Sequence, residues 1–309
     1  MQVLRHMQVL RLLGLVVLGL HALYAQHSPE KPSYLRLQVL LDRAHCSPGE
    51  IDGVAGTNTT KALRVFRAIH GLQETGDFSP RTWRALEGKQ TTPTLVSYTV
   101  TEDDVRGPFV TIPNDLTQQA DLPALGFQSA AEALGEKFHI KPDLLRRLNP
   151  RKELDTAGSH LQVPNLRRDV PPRATRIVVS KSKGWLEALN AAGHVIAEYP
   201  TTSGSEHDPL PLGKWKAISV AHDPVFHYNP DLFWNAPESE SKATIKAGPN
   251  NPAGVVWIGI SKEHYGIHGT PEPGLVGHAE SHGCVRLTNW DAAELSRIVV
   301  PGTAVIFTE

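Results

Sequence analysis

Hydrophobic positions change their spacing along the 309-residue chain. Residues 35–86 show the three-to-four-residue spacing of amphipathic helices, interrupted by turn-rich stretches at 51–60 and 72–80. From Arg176 onwards, short runs of β-branched and aromatic residues are separated by Gly, Pro, Asn and Asp. We therefore predict a small helical bundle, a middle segment and a mostly β C-terminal domain.

The middle segment combines both patterns. Residues 98–105 have the residue types of a strand, a proline-punctuated loop follows, and helical spacing returns at 129–138 and around 144–148. A proline pair at 171–172 marks the next boundary. We expect a multidomain α+β chain with modules at residues 33–88, 96–166 and 174–309.

One convincing helix is predicted inside the β domain, at residues 289–298. Asn289 is of a residue type that caps helices, and Ala292, Leu295 and Ile298 recur on one face. That apolar face is expected to pack against the sheet.

The N-terminal residues indicate export. Arg5 and Arg11 precede an apolar run at 12–23, and Ala25 ends a segment that resembles a secretory signal. The run of about a dozen residues is shorter than the roughly twenty that span a bilayer. We therefore expect removal of residues 1–25, no stable membrane insertion afterwards, and location in the periplasm or cell wall.

Charge and cysteine content narrow the function classes. Lys plus Arg total 31 and Asp plus Glu total 32, a net charge of −1, which gives no basis for broad electrostatic binding of nucleic acid. Cys46 and Cys284 are the two cysteines, so a disulfide framework is not expected. The simpler expectation is two free thiols, one of them kept for its reactivity.

Cys284 lies in a short histidine- and glycine-containing sequence, residues 281–286 (SHGCVR). A thiol with an ordinary pKa needs a nearby base or cation to act as a nucleophile at neutral pH. His268 and His282 are both candidates for that base, and local spacing does not choose between them. Backbone N–H groups around Gly283 and Cys284 are of the kind that stabilise an oxyanion during acyl transfer.

These residues resemble the L,D-transpeptidase, or YkuD, catalytic domain over about residues 174–309. The resemblance rests on HGT at 268–270, SHGC at 281–284 with the downstream Arg286, and a form of the TPxG segment at 209–213 that has no threonine. It implies a β-sandwich-like domain whose cysteine attacks the third residue of a tetrapeptide stem, expels the terminal D-alanine and passes the acyl group to an amine. No cofactor or metal is implied.

The resemblance also implies a role for each site residue. Cys284 would be the nucleophile and His268 the general base, with the carbonyl of Gly269 orienting the second nitrogen of His268. The amides of His282, Gly283 and Cys284 would form the oxyanion hole. Arg286 would position the loop or a substrate carboxylate, with Ser281 beside it in substrate binding.

Two N-terminal segments resemble wall-binding modules. Residues 37–72 contain the short motifs LQ, IDG, AL and GL, and they resemble the peptidoglycan-binding domain family. Arg67 occupies a position where that family usually has glutamine. Asp52-Gly53 precedes Thr60, and Gly76-Asp77 precedes Thr82 in a similar way. This similarity indicates an internal repeat of a turn and a helix. Residues 96–166 resemble a LysM domain with about thirty extra residues between its first strand and first helix; a packing spacer is the alternative.

An aromatic stretch at residues 223–237 is predicted to be a lid or groove wall, or else buried loop core. Its candidate side chains are Phe226, Tyr228, Phe233 and Trp234.

Several functions compete. We predict a cysteine L,D-transpeptidase that acts on peptidoglycan, with water as the alternative acceptor in a carboxypeptidase or endopeptidase. A buried structural thiol, a zinc site formed by His268, His278, His282 and Cys284, and a wall-binding protein without catalysis are weaker alternatives.

Overall fold

The computed structural model describes residues 32–88, 92–234 and 236–309, and residues 33–309 belong to one compact unit. The predicted signal segment, residues 1–25, lies outside the described residues. In the described part of the chain, no helix has both the length and the apolar character needed to cross a bilayer.

Three helices form the predicted N-terminal bundle: α1 (Tyr34–Arg43), α2 (Thr57–Ile69) and α3 (Pro80–Glu87). The helices bury one apolar cluster because their hydrophobic residues recur on one face of each. Cys46 is buried in that cluster and its thiol is free. Both thiols are free, as predicted.

The side chain of Gln38 connects the first helix to the turn that starts the second. Its Nε2 donates to Asp52 Oδ1 at 2.7 Å and to Thr59 Oγ1 at 3.1 Å, while its Oε1 accepts from Gly53 N at 2.8 Å. Asp52 therefore acts within a turn.

The two turn–helix repeats of the N-terminal bundle align one residue differently from the prediction. Arg67 donates to Thr82 Oγ1 at 3.0 Å, the counterpart of the Gln38–Thr59 contact, and both threonines are the third residue of their helix. The predicted pairing of Thr60 with Thr82 was therefore wrong by one residue. Thr60 instead donates to Gly56 O at the exposed start of α2.

The middle segment contains two strands that pair in antiparallel fashion, β1 (Leu95–Thr99) and β2 (His160–Pro164). The helices α6 (Ala130–Lys137) and α7 (Pro142–Leu148) come between these strands in the sequence. The predicted strand at 98–105 was wrong beyond Thr99. Glu102–Val105 forms the short helix α4, because Thr101 and Asp104 make a reciprocal capping box.

The C-terminal domain contains one hydrogen-bonded run of nine strands, in the order β5-β4-β3-β13-β7-β10-β11-β12-β6. Strand β7 is long, and its first half pairs with β13 while its second half pairs with β10, so two sheets share it. The strands are β3 (Arg176–Ser180), β4 (Trp185–Leu189), β5 (Val195–Pro200), β6 (Thr202–Ser203), β7 (Gly213–His222), β10 (Val256–Ile260), β11 (Gly266–His268), β12 (Val285–Arg286) and β13 (Ala304–Thr308).

Helix α8 (Asn289–Ile298) packs Ala292, Leu295 and Ile298 into the main core, as its spacing predicted. The predicted cap was wrong: Thr288 caps the helix by accepting from Asp291 N. Asn289 is already the first helical residue, which frees its side chain for the contacts described below.

A separate hairpin, β8 (Phe226–Tyr228) with β9 (Ala243–Ile245), lies outside the nine-strand run. It packs against residues 106–128, the extra segment between β1 and α6, hereafter called the crossing loop. The loop contains a short helix, α5 (Leu116–Gln119). Leu125 of the loop and Tyr228 and Ile245 of the hairpin are almost fully buried together.

Buried ionic contacts connect the helical bundle to the β domain. Arg168 contacts Asp42 Oδ1 and Glu294 Oε2, each at 2.6 Å, and Ser47 Oγ donates to Asp291 Oδ2 at 2.9 Å. The opposite charges of Arg168 and the two carboxylates offset part of the free-energy cost of burying each group. Because these contacts require a defined geometry, they fix the position of the helical bundle relative to α8.

Candidate active site

The predicted site residues lie at the ends of two adjacent parallel strands. Ile267 of β11 is opposite Val285 of β12, and His268 is opposite Arg286. Side chains alternate along a strand, so Ile267 and Val285 enter the core while His268 and Arg286 share the other face. Cys284 directly precedes β12 and has the same parity as Arg286.

His268 is buried and held by its own neighbour. Its Nδ1 lies 2.6 Å from Gly269 O, and its ring stacks on Trp257 with centroids 5.3 Å apart. A carbonyl oxygen only accepts, so Nδ1 carries the hydrogen and Nε2 has the free lone pair. Burial, aided by Arg286, lowers the pKa of His268 to about 4 despite the Gly269 contact, so the imidazole is neutral at pH 7.

Cys284 is partly buried, and its Sγ lies 3.8 Å from His264 O. Burial raises the pKa of the thiol, while the backbone of Gly266 and the charge of Arg286 oppose that rise. At pH 7 the thiol and the imidazole are therefore both uncharged, and a reaction at the sulfur would require the thiol to give up its proton.

Ser281 and Gly283 set the backbone that carries the thiol. Ser281 Oγ donates to Cys284 O at 2.6 Å and accepts from Gly204 N at 2.7 Å, which fastens this loop to β6. Gly283 has φ +94°, and a Cβ there would lie 2.6 Å from the Tyr265 ring. Only glycine fits this position, for both conformational and steric reasons.

His282 and Arg286 lie in the sequence on either side of Cys284 and have different surroundings. The His282 ring makes an edge contact with Phe233 at 5.0 Å between centroids and lies 6.5 Å from Trp234. Arg286 is partly buried, and burial lowers its pKa, opposed by the charges of Cys284 and Glu272.

The profile of the YkuD family, described as the L,D-transpeptidase catalytic domain, matches residues 174–307. The protein of Bacillus subtilis (strain 168) that carries the name L,D-transpeptidase YkuD is 30% identical over 174 residues, which are 56% of this chain and 90% of that protein. The chain belongs to the YkuD family of L,D-transpeptidases. The YkuD protein of Bacillus licheniformis is 50% identical over 180 residues, 57% of this chain and 92% of the relative.

Two further comparisons concern the rest of the chain and the fold. The profile of a peptidoglycan-binding domain matches residues 31–86 of this L,D-transpeptidase, in agreement with the predicted resemblance. The crystal structure of L,D-transpeptidase 3 from Mycobacterium tuberculosis is 16% identical, covers 52% of this chain and 78% of its own, and gives a TM-score of 0.37.

Strand pairing thus brings His268, Gly269, Cys284 and Arg286 of this L,D-transpeptidase to one place, with Ser281–Gly283 as the adjoining loop. His278, the remaining residue of the zinc alternative, is exposed in the turn that follows Leu275. Among residues 32–88, 92–234 and 236–309, no group of three or more His, Cys, Asp and Glu is arranged to hold a metal ion.

The aromatic stretch has two parts. Tyr228 is 3% exposed and, with Phe226, belongs to the core under the hairpin. Trp234 is 60% exposed, and its ring lies beside those of His207 and His282. Phe233 lies between the two parts, because its ring contacts both Tyr228 and His282. The stretch is therefore partly loop core and partly a wall beside the SHGC loop.

Asn289 was missed as a site residue by sequence reasoning. Its Oδ1 accepts from Val255 N, and its Nδ2 donates to Pro249 O at 3.0 Å and to Glu136 Oε1 at 2.9 Å. A Cβ on Gly269 would lie 2.2 Å from that Oδ1, so Asn289 packs directly against the backbone that supports His268. In the sequence, the only sign that a side chain approaches the backbone so closely was the presence of glycine at positions 254 and 269.

Proposed function

We propose that this L,D-transpeptidase acts on peptidoglycan stem peptides through a covalent intermediate on Cys284. The sulfur attacks the carbonyl carbon of the third residue of a tetrapeptide stem, and the bond to the terminal D-alanine breaks. The thioester is then attacked by an amine, which forms a new amide and releases the thiol. The free D-alanine takes up the proton that the thiol lost.

His268 is the general base in this proposal. The observation that carries it is the 2.6 Å contact between Nδ1 and Gly269 O, because it leaves Nε2 unprotonated on the face shared with Cys284. A pKa of about 4 keeps His268 neutral and able to accept the thiol proton at pH 7. The Gly269 carbonyl fills the orienting role that a carboxylate has in a conventional triad.

The backbone amides of His282, Gly283 and Cys284 are proposed to stabilise the developing oxyanion. The positive φ of Gly283 turns the backbone at this point, and successive N–H groups in such a turn form an anion-binding concavity. The Ser281 hydrogen bonds hold this turn before substrate binds, so little reorganisation is needed during the reaction.

The two N-terminal modules are proposed to hold the enzyme on its polymer. We infer a peptidoglycan-binding module at residues 33–88, a LysM-like module at 96–166 and the catalytic domain at 174–309. The β1–α6–α7–β2 order supports the LysM-like interpretation, and the family match at 31–86 supports the first module. Such a protein meets its substrate after export, in the periplasm or cell wall.

The acceptor separates the main proposal from its closest alternative. With water instead of an amine, the same thioester would give carboxypeptidase or endopeptidase activity. Purified muropeptides incubated with the enzyme distinguish these outcomes by mass: transpeptidation gives a new dimer, and hydrolysis gives a trimmed monomer.

The nucleophile is tested with a tetrapeptide stem and intact-protein mass spectrometry. We expect an acyl adduct on the wild-type protein, none on Cys284→Ala and much less on His268→Ala. Cys46→Ala is the matched control, because it removes the other thiol from a buried position outside the site. An adduct of unchanged yield on Cys284→Ala would refute the mechanism.

A further inference from the structure

The segment that joins the HGT and SHGC motifs, residues 271–280, is hereafter called the connecting segment. Most of its residues are exposed or half-buried, and Val276, which is 2% exposed, is its one buried residue. A segment with so little apolar core of its own is easily displaced unless neighbouring elements hold its backbone. Because the chain runs from this segment directly into Ser281, its position affects the loop that carries Cys284.

The catalytic domain holds the connecting segment through Thr202 of β6. Thr202 Oγ1 accepts from Gly277 N at 2.9 Å and donates to Leu275 O at 3.2 Å. The residue that follows β6 holds the end of the segment, because Ser281 N donates to Gly204 O at 3.3 Å. These contacts fix the backbone of the segment from the side of the sheet.

A second hydrogen bond to the connecting segment comes from the helical bundle. Asn58, the second residue of α2, donates from Nδ2 to Val276 O at 2.8 Å, although the two residues are 218 positions apart. Asn58 is 8% exposed, and it lies within the part of the chain that matches the peptidoglycan-binding profile. Both residues of this hydrogen bond are buried, so loss of the donor costs more than the loss of an exposed hydrogen bond.

Glycines on both sides of the Asn58 amide keep it in place. Gly277 of the connecting segment has φ +81°, and a Cβ there would lie 2.4 Å from Asn58 Oδ1. A Cβ on Gly49 of the bundle would lie 3.4 Å from Asn58 Nδ2. Asn58 Oδ1 is buried and has no hydrogen-bond partner among the described residues, which costs stability. Because an apolar side chain would avoid that cost, the contribution of the amide is the hydrogen bond from Nδ2.

We propose that Asn58 is a positioning residue for the SHGC loop, so that the peptidoglycan-binding domain forms part of the support of the active site. Asn58 holds the middle of the connecting segment from the bundle, while Thr202 holds the same turn from β6. Asn58 contacts none of the reacting atoms and acts through the backbone of Val276 and Gly277. The inference rests on the proposed function, because the quantity that it concerns is acylation of Cys284.

The backbone amides proposed as the oxyanion hole are the groups that depend most on this support. Acyl transfer requires these N–H groups to point at the oxyanion before the reaction, and a small displacement of them slows the reaction strongly. Alkylation by iodoacetamide is different, because the Cys284 sulfur displaces iodide and no oxyanion forms. Loss of the Asn58 hydrogen bond should therefore slow acylation of Cys284 and leave its alkylation unchanged.

The first test compares Asn58→Leu with the wild type in the full-length protein, since leucine is close in size to asparagine and has no amide. We expect kcat for D-alanine release from a tetrapeptide stem to fall about tenfold with KM unchanged. The rate of Cys284 alkylation by iodoacetamide, followed by peptide mass mapping, should stay the same. An unchanged kcat would overturn the inference, and so would faster alkylation, which indicates general loosening. No release by the wild type would instead overturn the proposed function.

Gln38→Leu is the matched control for a loss of stability in the bundle. It also replaces a buried amide, but the side-chain hydrogen bonds of Gln38 go to residues 52–59 of the bundle itself. This variant should lower the urea midpoint and keep the wild-type kcat. If Gln38→Leu is as slow as Asn58→Leu, the effect comes from instability of the bundle, and the specific role of Asn58 is wrong.

Gly277→Ala tests the same contact from the catalytic domain if Asn58→Leu does not fold. Its Cβ would meet Asn58 Oδ1, so this variant should also release D-alanine more slowly. Because the two changes affect one contact, Asn58→Ala combined with Gly277→Ala should be no slower than Gly277→Ala alone. A double variant slowed by the product of the two single effects would overturn the inference.

Discussion

The carboxyl group of Glu136 couples the stability of this protein to pH. Glu136 lies on α6, lines an apolar cavity of about 540 Å³ beside Phe109 and Phe127, and accepts one hydrogen bond from Asn289. Burial raises its pKa from 4.5 to about 7; the Asn289 contact opposes the rise, and the charges of Glu132 and Glu50 add to it. The perturbation we consider is Glu136→Gln, which keeps the shape and removes the titration.

The sign of the effect follows from proton binding. Between pH 4.5 and 7 the folded protein keeps the Glu136 proton that the unfolded chain has released, so stability falls as the pH rises through this window. Integrated from pH 5 to pH 8, the two pKa values correspond to about 2.5 kcal/mol. The side chain is only partly buried, so we expect about 2 kcal/mol after allowance for solvent screening.

The assay is equilibrium unfolding in urea at pH 5 and pH 8. The loss of unfolding free energy between these pH values should be about 2 kcal/mol smaller in Glu136→Gln than in the wild type. Glu132→Gln is the matched control, because it removes a carboxyl group one turn earlier on the same helix and retains Glu136; it should keep most of the pH effect, since burial, and not the charge of Glu132, is the largest cause of the raised pKa of Glu136. If Glu136→Gln and the wild type lose the same free energy, the reasoning about this carboxyl group is wrong.

Three further predictions concern the catalytic loop and its support. Acylation of Cys284 should stay nearly constant from pH 7 to pH 5.5 and fall only as the pH approaches about 4, because His268 stays neutral until then; a midpoint near 6.5 would contradict this. Gly283→Ala should abolish acylation through its contact with Tyr265, whereas Gly302→Ala, also at positive φ but with open space around it, should acylate normally; equal rates would refute the steric argument. Asn289→Ala should lower the free energy of unfolding by about 2–4 kcal/mol and slow acylation, since three hydrogen bonds are lost; a wild-type urea midpoint would exclude this role.

Local chemistry made much of the molecule predictable. Amphipathic spacing identified α1, α2, α6, α7 and α8, and β-branched runs identified the strands of the C-terminal domain, because these patterns reflect which side chains enter a core. The errors were also local. The capping box at Thr101 and Asp104 ended a strand early, and Thr288 took the cap expected at Asn289, because a cap depends on the geometry of the following turn.

The candidate site shows a similar division. The sequence alone identified Cys284, His268 and the SHGC loop as candidates, since the reactive cysteine and histidine lie in the two short motifs HGT and SHGC. It left His268 and His282 equal as bases, because a choice needs the distance across β11 and β12. The register that places His268 opposite Arg286, and the Gly269 contact, exist only once the strands pair.

What the sequence by itself determined about this protein is its YkuD catalytic domain, its peptidoglycan-binding domain, most of its helices and strands, and the residues for which we propose a cysteine acyl transfer. Only the tertiary structure placed the crossing loop beside Arg286, Asn289 behind Gly269, and Glu136 in an apolar cavity. The physical reason is that patterns along a chain report local preference and burial. Contacts between residues far apart in the sequence depend on how helices, strands and whole modules pack, and no short stretch of sequence contains that information.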